Sequence, residues 1–248
     1  MSNGDEGWAA PNQQHPPARQ LEDGVRGMLL DTYEDGGELV LCHGYCELGR
    51  TPLADVLGQI RDFLEASPGE LVAIIFQDAI SPEQTLGALA SAGLDELLIT
   101  PPADGVAWPT LGELVAADTR LLVTRESGGE GPAVYRSFWD LGWDTPYSFR
   151  SEEEFSCAPN RGDPSHDLFL LNHWLSTPLP SRRAAERVNT AEVLGARARA
   201  CTDAAGRPPT LLAVDFHDTG ALFEVVDELN DAAVAGFAPP DATPPRSP

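Results

Sequence analysis

The chain contains no lysine, and basic residues of any kind are scarce. Its 248 residues include 16 arginines against 39 aspartates and glutamates, which gives a formal net charge of −23. Nucleic-acid backbones select for positive charge, so this balance predicts that no nucleic acid is a partner. Any phosphate clamp must use arginine, backbone amides or a metal ion.

Long apolar runs are also missing. No stretch approaches 18 apolar residues, so we predict no membrane span, and the polar start has no signal-peptide core. The four cysteines form no Cys-x-x-Cys pair, which disfavours a zinc or thioredoxin-like site. They fit two disulfides, Cys42–Cys46 and Cys157–Cys201, in an oxidising compartment, or else four free thiols.

Several familiar catalytic motifs do not occur. The sequence has no Gly-x-Ser-x-Gly elbow and no His-Glu-x-x-His helix. The glycine-rich loop 127–132 lacks the Gly-Lys-Ser or Gly-Lys-Thr ending of a phosphate-binding loop. We therefore predict neither serine hydrolase chemistry nor a nucleotide site.

Apolar runs alternate with amphipathic segments along the whole chain. Predicted strands cover residues 25–33, 38–43, 71–76, 121–126, 168–174 and 211–217, and predicted helices cover 18–23, 51–66, 82–92, 110–117, 184–205 and 221–229. Residues 135–166 are interpreted as a long excursion. This alternation and the length favour one α/β barrel domain over 1–235, although a doubly wound open sheet has the same local pattern. The Pro-rich residues 236–248 are predicted to be a disordered tail.

The predicted strands end in polar side chains. These are Asp31, His43, Gln77 with Asp78, Arg125, Asn172 with His173, and Asp215. Parallel α/β folds build active sites where strands end, so we expect these groups at one rim. Imidazole, arginine and carboxylates together suit phosphodiester cleavage, but one histidine performs only half of acid–base catalysis and a second proton carrier is needed.

A series of short motifs points to one family. Gln20-Leu21, Gly24-Val25-Arg26, Leu30-Asp31 and Cys42-His43-Gly44 are followed by a helix ending in Ser-Pro-Gly-Glu, then by Trp143–Tyr147, Cys157–Gly162, Asn172–Leu175 and Ala213–Phe216. In this order they resemble the X domain of phosphatidylinositol-specific phospholipase C, and especially the small bacterial and fungal PLC-like phosphodiesterases, over about residues 8–230. The resemblance implies a distorted (β/α)8 TIM barrel whose first strand is truncated here.

The resemblance also implies roles for particular residues. In that family one histidine is the base for the attacking inositol hydroxyl and another is the acid for the leaving oxygen. His43 matches the acid, and Asp215 matches the carboxylate that orients the base. Arg125 falls where bacterial relatives carry a substrate-binding arginine. The full set of candidates is His43, Asp215 and Asp31 as catalytic residues, and Arg26, Arg125, Asn172, His173 and Tyr147 as substrate-binding residues.

Two departures from the family pattern matter. The His-Asn-Ala or His-Asn-Ser motif of the first histidine would fall before Met1, so we expect a start site assigned too far downstream. If the missing N-terminus carries a signal, the protein is extracytoplasmic or secreted. Calcium-dependent members hold the ion with three carboxylates, of which only Asp31 matches, while Leu29 and Gln77 stand at the other two positions. We expect no cofactor, because a Ca²⁺ site built on Asp31 is incomplete.

The leading hypothesis is a phosphodiesterase of the phospholipase C type. One alternative is a catalytically impaired member that binds a head group or a partner, and another is a glycerophosphodiester phosphodiesterase. The expected partner is a phospholipid head group or another phosphodiester, with peripheral membrane contact and a monomeric chain.

Overall fold

A computed structural model describes residues 8–176 and 179–237, so most of the predicted tail lies outside the described residues. The strands are β1 (Gly27–Asp35), β2 (Glu38–Cys42), β3 (Arg50–Pro52), β4 (Val72–Asp78), β5 (Leu121–Arg125), β6 (Gly142–Asp144), β7 (Leu168–His173) and β8 (Leu211–Val214). The helices of more than one short turn are α1 (Pro17–Glu22), α2 (Leu53–Ala66), α3 (Pro82–Ser91), α4 (Leu111–Ala116), α5 (Arg182–Val188), α6 (Ala191–Ala205) and α7 (Leu222–Phe237).

The strands form two sheets. One has the order β3-β2-β1-β4-β5 and the other β6-β7-β8. Strands β1, β4 and β5 are parallel, as are β6, β7 and β8, whereas β2 and β3 are antiparallel additions beside β1. The predicted α/β fold is confirmed. A closed eight-stranded barrel is not found, because within the described residues no continuous ladder joins the two sheets and only an isolated bridge, Arg125 to Ser137, links β5 towards β6.

Side chains alternate between two apolar surroundings along the parallel strands. One face of the larger sheet packs under α2 and α3, through residues such as Leu30 and Phe76. One face of the smaller sheet packs under α6 and α7, through Phe169 among others. The opposite faces share a third cluster that includes Ile75 and Leu170. Both sheets therefore curve around a common interior, whose side chains come from each of them.

The two sheets are not paired where β8 approaches β1. Strand β8 pairs with β7 along one edge, and the described ladders place no strand on its other edge. A cavity of about 840 Å³ opens at this side, lined by both strands and by Phe223 and Val226 of α7. The interior is therefore open between the first and last parallel strands.

Two predicted elements differ in the structure. The single helix predicted for 184–205 is split into α5 and α6, because Asn189 turns inward and donates from Nδ2 to the Asp215 carbonyl, 2.9 Å away. Thr190 then caps α6 by accepting from the Val193 amide. Strand β6 lies inside the segment predicted as an excursion, since its three residues are too few to produce a recognisable pattern.

Of the two alternatives for the cysteines, the structure shows the disulfides, Cys42–Cys46 and Cys157–Cys201, and no cysteine is free. The first closes the short loop that carries His43. The second fastens the loop before β7 to α6. None of the described helices combines the length and apolar character needed to cross a membrane.

The two disulfides are expected to differ in their contribution to stability. The loop-entropy relation gives about 4 kcal/mol for a link that spans 44 positions and about 2 kcal/mol for one that spans 4. Replacing Cys157 and Cys201 together by alanine should therefore lower the free energy of unfolding more than replacing Cys42 and Cys46. Equilibrium denaturant unfolding of the two double variants measures this difference, and an equal loss in both would contradict it.

Candidate active site

Six polar side chains share the interior face near the carboxyl ends of the parallel strands. They are Asp31, Gln77, Glu126, Asp144, Asn172 and Asp215, called here the inward ring. The register places Asp31 beside Gln77, and Glu126 directly follows the Phe76–Arg125 pair. Apart from Asp144, each ring member lies an even number of residues from an interior position such as Leu29, Ile75 or Leu170. Asp144 follows Trp143, whose side chain packs in the cluster on the opposite face of the smaller sheet. Because side chains alternate along a strand, the ring lies at one end of the interior.

His43 reaches this ring by a route that parallel strands do not provide. Strand β2 is antiparallel to β1, with Leu41 opposite Thr32, so the chain leaves β2 beside Asp31. His43 lies in the loop closed by the Cys42–Cys46 disulfide, and it is exposed. Desolvation by surrounding protein lowers the pKa of the His43 imidazole, and the charge of Asp31 acts in the opposite direction. The acid and the imidazole are therefore close enough to interact electrostatically.

Asp144 is the most heavily bonded member of the ring. Its fully buried carboxylate accepts from Arg161 at 2.7 and 3.1 Å, and from the Arg161 amide at 2.8 Å. Asn160 and Asn172 also donate to it, at 3.2 and 3.0 Å. The Arg161 loop approaches β6 closely because Gly162 has φ +76° and a Cβ there would meet the Gly142 carbonyl at 2.0 Å. Gly162 therefore allows the Arg161 guanidinium to lie over the inward ring.

Arg161 connects Asp144 to the next acid of the ring. Its Nη1 donates to Glu126 at 3.2 Å, and its guanidinium lies over the rings of Trp139 and Tyr147, at 4.1 and 4.6 Å from the centroids. Burial raises the pKa of Glu126, which the charge of Arg161 partly offsets. The charge of Asp31 also acts on Glu126. His43, Asp31, Glu126 and Arg161 thus form one electrostatic group.

Three predicted substrate-binding residues lie elsewhere. Arg26 precedes β1, pairs with Glu70 at 2.7 Å and stacks on Phe63. Arg125 is 4% exposed, and its guanidinium donates to Ser127, Gly128 and Gly129, which holds the glycine-rich loop in place. His173 lies outside the interior, beneath α5 and α6. The structure does not bring these three side chains to the inward ring.

His173 is a buried core residue with both ring nitrogens engaged. Its Nε2 lies 2.9 Å from the Val188 carbonyl, and its Nδ1 lies 3.3 Å from Nη1 of Arg197. A carbonyl can only accept and a guanidinium can only donate, so Nε2 carries the proton and Nδ1 accepts. Burial lowers the pKa of His173 to about 4. The imidazole is neutral at physiological pH.

The remaining predicted residues belong to the ring or its edge. Asn172 is buried and donates to Asp144 and to the Thr145 carbonyl. Tyr147 is 44% exposed and supports Arg161. Burial raises the pKa of Asp215 to about 7, and a hydrogen bond from Asn12 opposes that rise.

The ring does not fit a dedicated calcium site. Ca²⁺ takes six to eight oxygen ligands. Beside Asp31 the described neighbours offer the Gln77 amide and the Glu126 carboxylate, and Arg161 already donates to the latter. A guanidinium at this position disfavours a second cation nearby. Leu29 belongs to the interior apolar cluster and supplies no ligand.

Sequence reasoning did not select Glu126, Asp144 or Arg161 as site residues. Glu126 stands next to Arg125, and its inward position follows only from the register with β4. Asp144 ends a three-residue strand, and Arg161 comes from a loop that pairs with it. The one available indication was that Gly142-Trp143-Asp144 ends in a carboxylate, as the longer strands do.

Removing the charge of Asp144 should destabilise the fold more than removing that of Glu126. Asp144→Asn leaves Arg161 without its principal partner in a largely buried setting, so we expect a loss of about 2–3 kcal/mol in the free energy of unfolding. Glu126→Gln should cost less than about 1 kcal/mol, because burial already disfavours the ionised form of Glu126. Denaturant unfolding of both variants decides the order, and a larger loss in Glu126→Gln would contradict this account.

The neutral state of His173 predicts a pH-dependent stability. The folded pKa of about 4 lies below the ordinary value of 6.5, so its contribution is complete above pH 6.5 and is lost as pH falls towards 4. The loss amounts to about 3 kcal/mol. In the His173→Gln variant, the amide can donate to Val188 and accept from Arg197. Between pH 7 and pH 4, the free energy of unfolding of this variant should therefore fall by about 3 kcal/mol less than that of the native chain. Parallel curves of unfolding free energy against pH would rule this out.

Sequence comparisons place these observations in a family. The profile of the PI-PLC X 1 family matches residues 6–230. A PI-PLC X domain-containing protein of Arabidopsis thaliana is 31% identical over 246 residues, covering 91% of this chain and 57% of that protein. An uncharacterized secreted protein of Arthroderma benhamiae is 27% identical over 261 residues, covering 93% and 59%. The chain thus spans less than two thirds of the length of either relative.

A solved structure shows the same fold. The phosphatidylinositol-specific phospholipase C of S. aureus superposes with a TM-score of 0.60 at 14% identity, over 90% of this chain and 86% of that one. The profile match covers most of the chain, including the strands that carry the inward ring and the loop that carries His43. The chain belongs to the PI-PLC X domain family.

Proposed function

We propose that this chain acts on a phosphodiester of a phospholipid, with His43 as the proton donor to the leaving oxygen. The observation that supports this most directly is the electrostatic group of His43, Asp31, Glu126 and Arg161 at one end of the interior. An imidazole beside a carboxylate and a guanidinium provides the proton donor and the phosphate clamp of phosphodiester cleavage, and the base for the attacking hydroxyl must come from outside this group.

Each member of the group has a distinct task in this proposal. Protonated His43 gives its proton to the leaving oxygen, and the Asp31 charge stabilises the imidazolium before the transfer. Arg161 interacts with the phosphate oxygens, because stacking on Trp139 and Tyr147 holds its guanidinium in a fixed plane. Asp215 lies on the same face, where the family resemblance implies that it orients the base histidine, but among the described residues no second histidine lies beside it.

A binding role without cleavage is the second candidate. All five histidines fall within the described residues, and only His43 lies at the inward ring. His173 is buried, and His15 and His217 pair with Asp23 on another side of the fold. A single imidazole gives only half of an acid–base pair, so the same site would hold a head group with little turnover.

The glycerophosphodiester phosphodiesterase alternative loses support, since that class needs a further acid early in the chain. Leu29, at that position, packs in the apolar interior.

We further infer an extracytoplasmic location with peripheral membrane contact. Two disulfides persist in oxidising compartments, and one of the relatives is named as a secreted protein. Tyr45 and Leu48, which flank the Cys46 end of the His43 loop, are 71% and 44% exposed. Exposed apolar side chains beside the site would rest against a lipid surface.

We also propose that the two curved sheets are parts of one distorted (β/α)8 barrel.

The proposal is tested by head-group release from phosphatidylcholine vesicles with and without phosphatidylinositol. His43→Ala should lower the rate by about 10²–10⁴-fold. Arg161→Met should lower it by about 10²–10³-fold, the effect of removing one donor to developing charge. His166→Ala is the matched control, because His166 precedes β7 at the opposite end of the strand, and its rate should equal that of the native chain.

Two results would exclude the cleavage proposal. One is full activity in His43→Ala, and the other is silence of the native chain on every vesicle. In the second case, calorimetric titration with inositol 1-phosphate separates the candidates. Binding that Arg161→Met abolishes would support the head-group-binding role.

A further inference from the structure

A second cluster of titratable side chains lies away from the inward ring. His15 precedes α1, Asp23 caps the end of that helix, and His217 lies in the loop between β8 and α7. His15 Nδ1 and His217 Nε2 approach the same oxygen, Asp23 Oδ2, at 2.7 and 3.2 Å. The ligand-type atoms of all three residues lie within 4.8 Å of one another. Three separate segments therefore direct polar atoms at one point.

Gln13 determines which nitrogen of His217 carries a proton. Its Nε2 donates to the Val214 carbonyl at 2.8 Å, so its Oε1 faces His217. That oxygen accepts from the His217 backbone amide and from Nδ1, both at 3.0 Å. Nδ1 must be the protonated nitrogen, because a carbonyl oxygen accepts and cannot donate. The Nε2 atom is left facing Asp23.

This arrangement calls for a positive charge between His217 and Asp23. In the neutral imidazole, Nε2 presents a lone pair to a carboxylate oxygen 3.2 Å away, and two acceptors at that distance repel each other. A second proton or a metal ion would remove the repulsion.

Among the described residues, the charged groups around the cluster do not pair with Oδ2 of Asp23. Arg19 pairs with the other oxygen of Asp23, Oδ1, at 2.8 Å. Asp218 is the nearby acid on the His217 loop, and it pairs with Arg182 at 2.9 Å. An ionised carboxylate and a neutral imidazole are the forms that bind metals.

We propose that His15, Asp23 and His217 form a binding site for a divalent transition-metal ion, with Zn²⁺ as its representative. Two imidazole nitrogens and one carboxylate are a ligand set typical of zinc, whereas Ca²⁺ and Mg²⁺ prefer oxygen ligands. Tetrahedral zinc places neighbouring ligand atoms about 3.3 Å apart. The His217–Asp23 contact already matches this spacing, and the His15–Asp23 contact must widen by about 0.6 Å. His15 is one-third exposed, which permits that shift and leaves a fourth position to water.

The site has a structural consequence. It links the segment before α1 to the loop after β8, on the side where the described ladders do not join β1 to β8. A bound ion would therefore hold these two chain segments together across the open side of the interior. Gln13 would act as the outer partner that orients His217, as such partners do in zinc sites.

Calorimetric titration of tag-free protein with Zn²⁺ tests the proposal. We expect one ion per chain, with no comparable binding of Mg²⁺ or Ca²⁺. His15→Gln and His217→Gln should each weaken the affinity at least 100-fold, and Gln13→Ala about 10–100-fold. At a free Zn²⁺ concentration 100 times the Kd, the Tm of the native chain should rise by about 5–10 °C.

Two matched variants separate this cluster from other histidines. His43→Gln and His166→Gln should keep native Zn²⁺ affinity, since neither side chain belongs to the cluster. The proposal is overturned if the native chain binds no Zn²⁺, or if binding survives in His15→Gln. Because His15 lies at the exposed edge, that variant should fold even if His217→Gln does not, and circular dichroism verifies the fold of each.

Discussion

The alternation of side chains along the parallel strands is the constraint on which the site depends. Every second residue points into one apolar interior shared by both sheets, where Ile75 and Leu170 pack. The last inward residue of each strand meets solvent only at the carboxyl end. Acids and amides at these positions lie against apolar side chains, where an unpaired charge is unfavourable in free energy. The site is therefore a set of buried and half-buried acids that requires a compensating cation.

Arg161 meets that requirement, and its position depends on backbone geometry. The loop that carries it pairs with β6 through the Trp143–Gly162 bridge, which is close enough only because Gly162 has no Cβ. The guanidinium then forms ion pairs with both Asp144 and Glu126, at 2.7 and 3.2 Å. Arg161 therefore supplies the positive charge that the acids of the ring need, although the ring offers too few ligands for calcium. It also places a fixed positive charge where an anionic phosphate would enter.

The sequence predicted the α/β class, most strands and a common rim for Asp31, Gln77, Asn172 and Asp215, and it left two disulfides and four free thiols as alternatives. It did not show which of two adjacent residues points inward, for example Arg125 or Glu126, and Asn172 or His173. The reason is physical: strands covered on both faces are apolar throughout, so composition does not reveal which residue points inward. The register with neighbouring strands supplies that information, and it is a tertiary property. The antiparallel direction of β2 was likewise not predicted, although His43 still lies beside Asp31.

The net charge of the ring is smaller than its composition implies. Asp144 is paired with Arg161, and burial raises the pKa of Glu126, which disfavours the ionised form of that residue. A phosphodiester monoanion approaching Arg161 therefore meets less repulsion than four carboxylates would exert. The same burial strengthens the attraction to Arg161, because the local dielectric is low. An acidic chain can thus bind an anion at one point, provided that its acids are buried and its arginine is fixed.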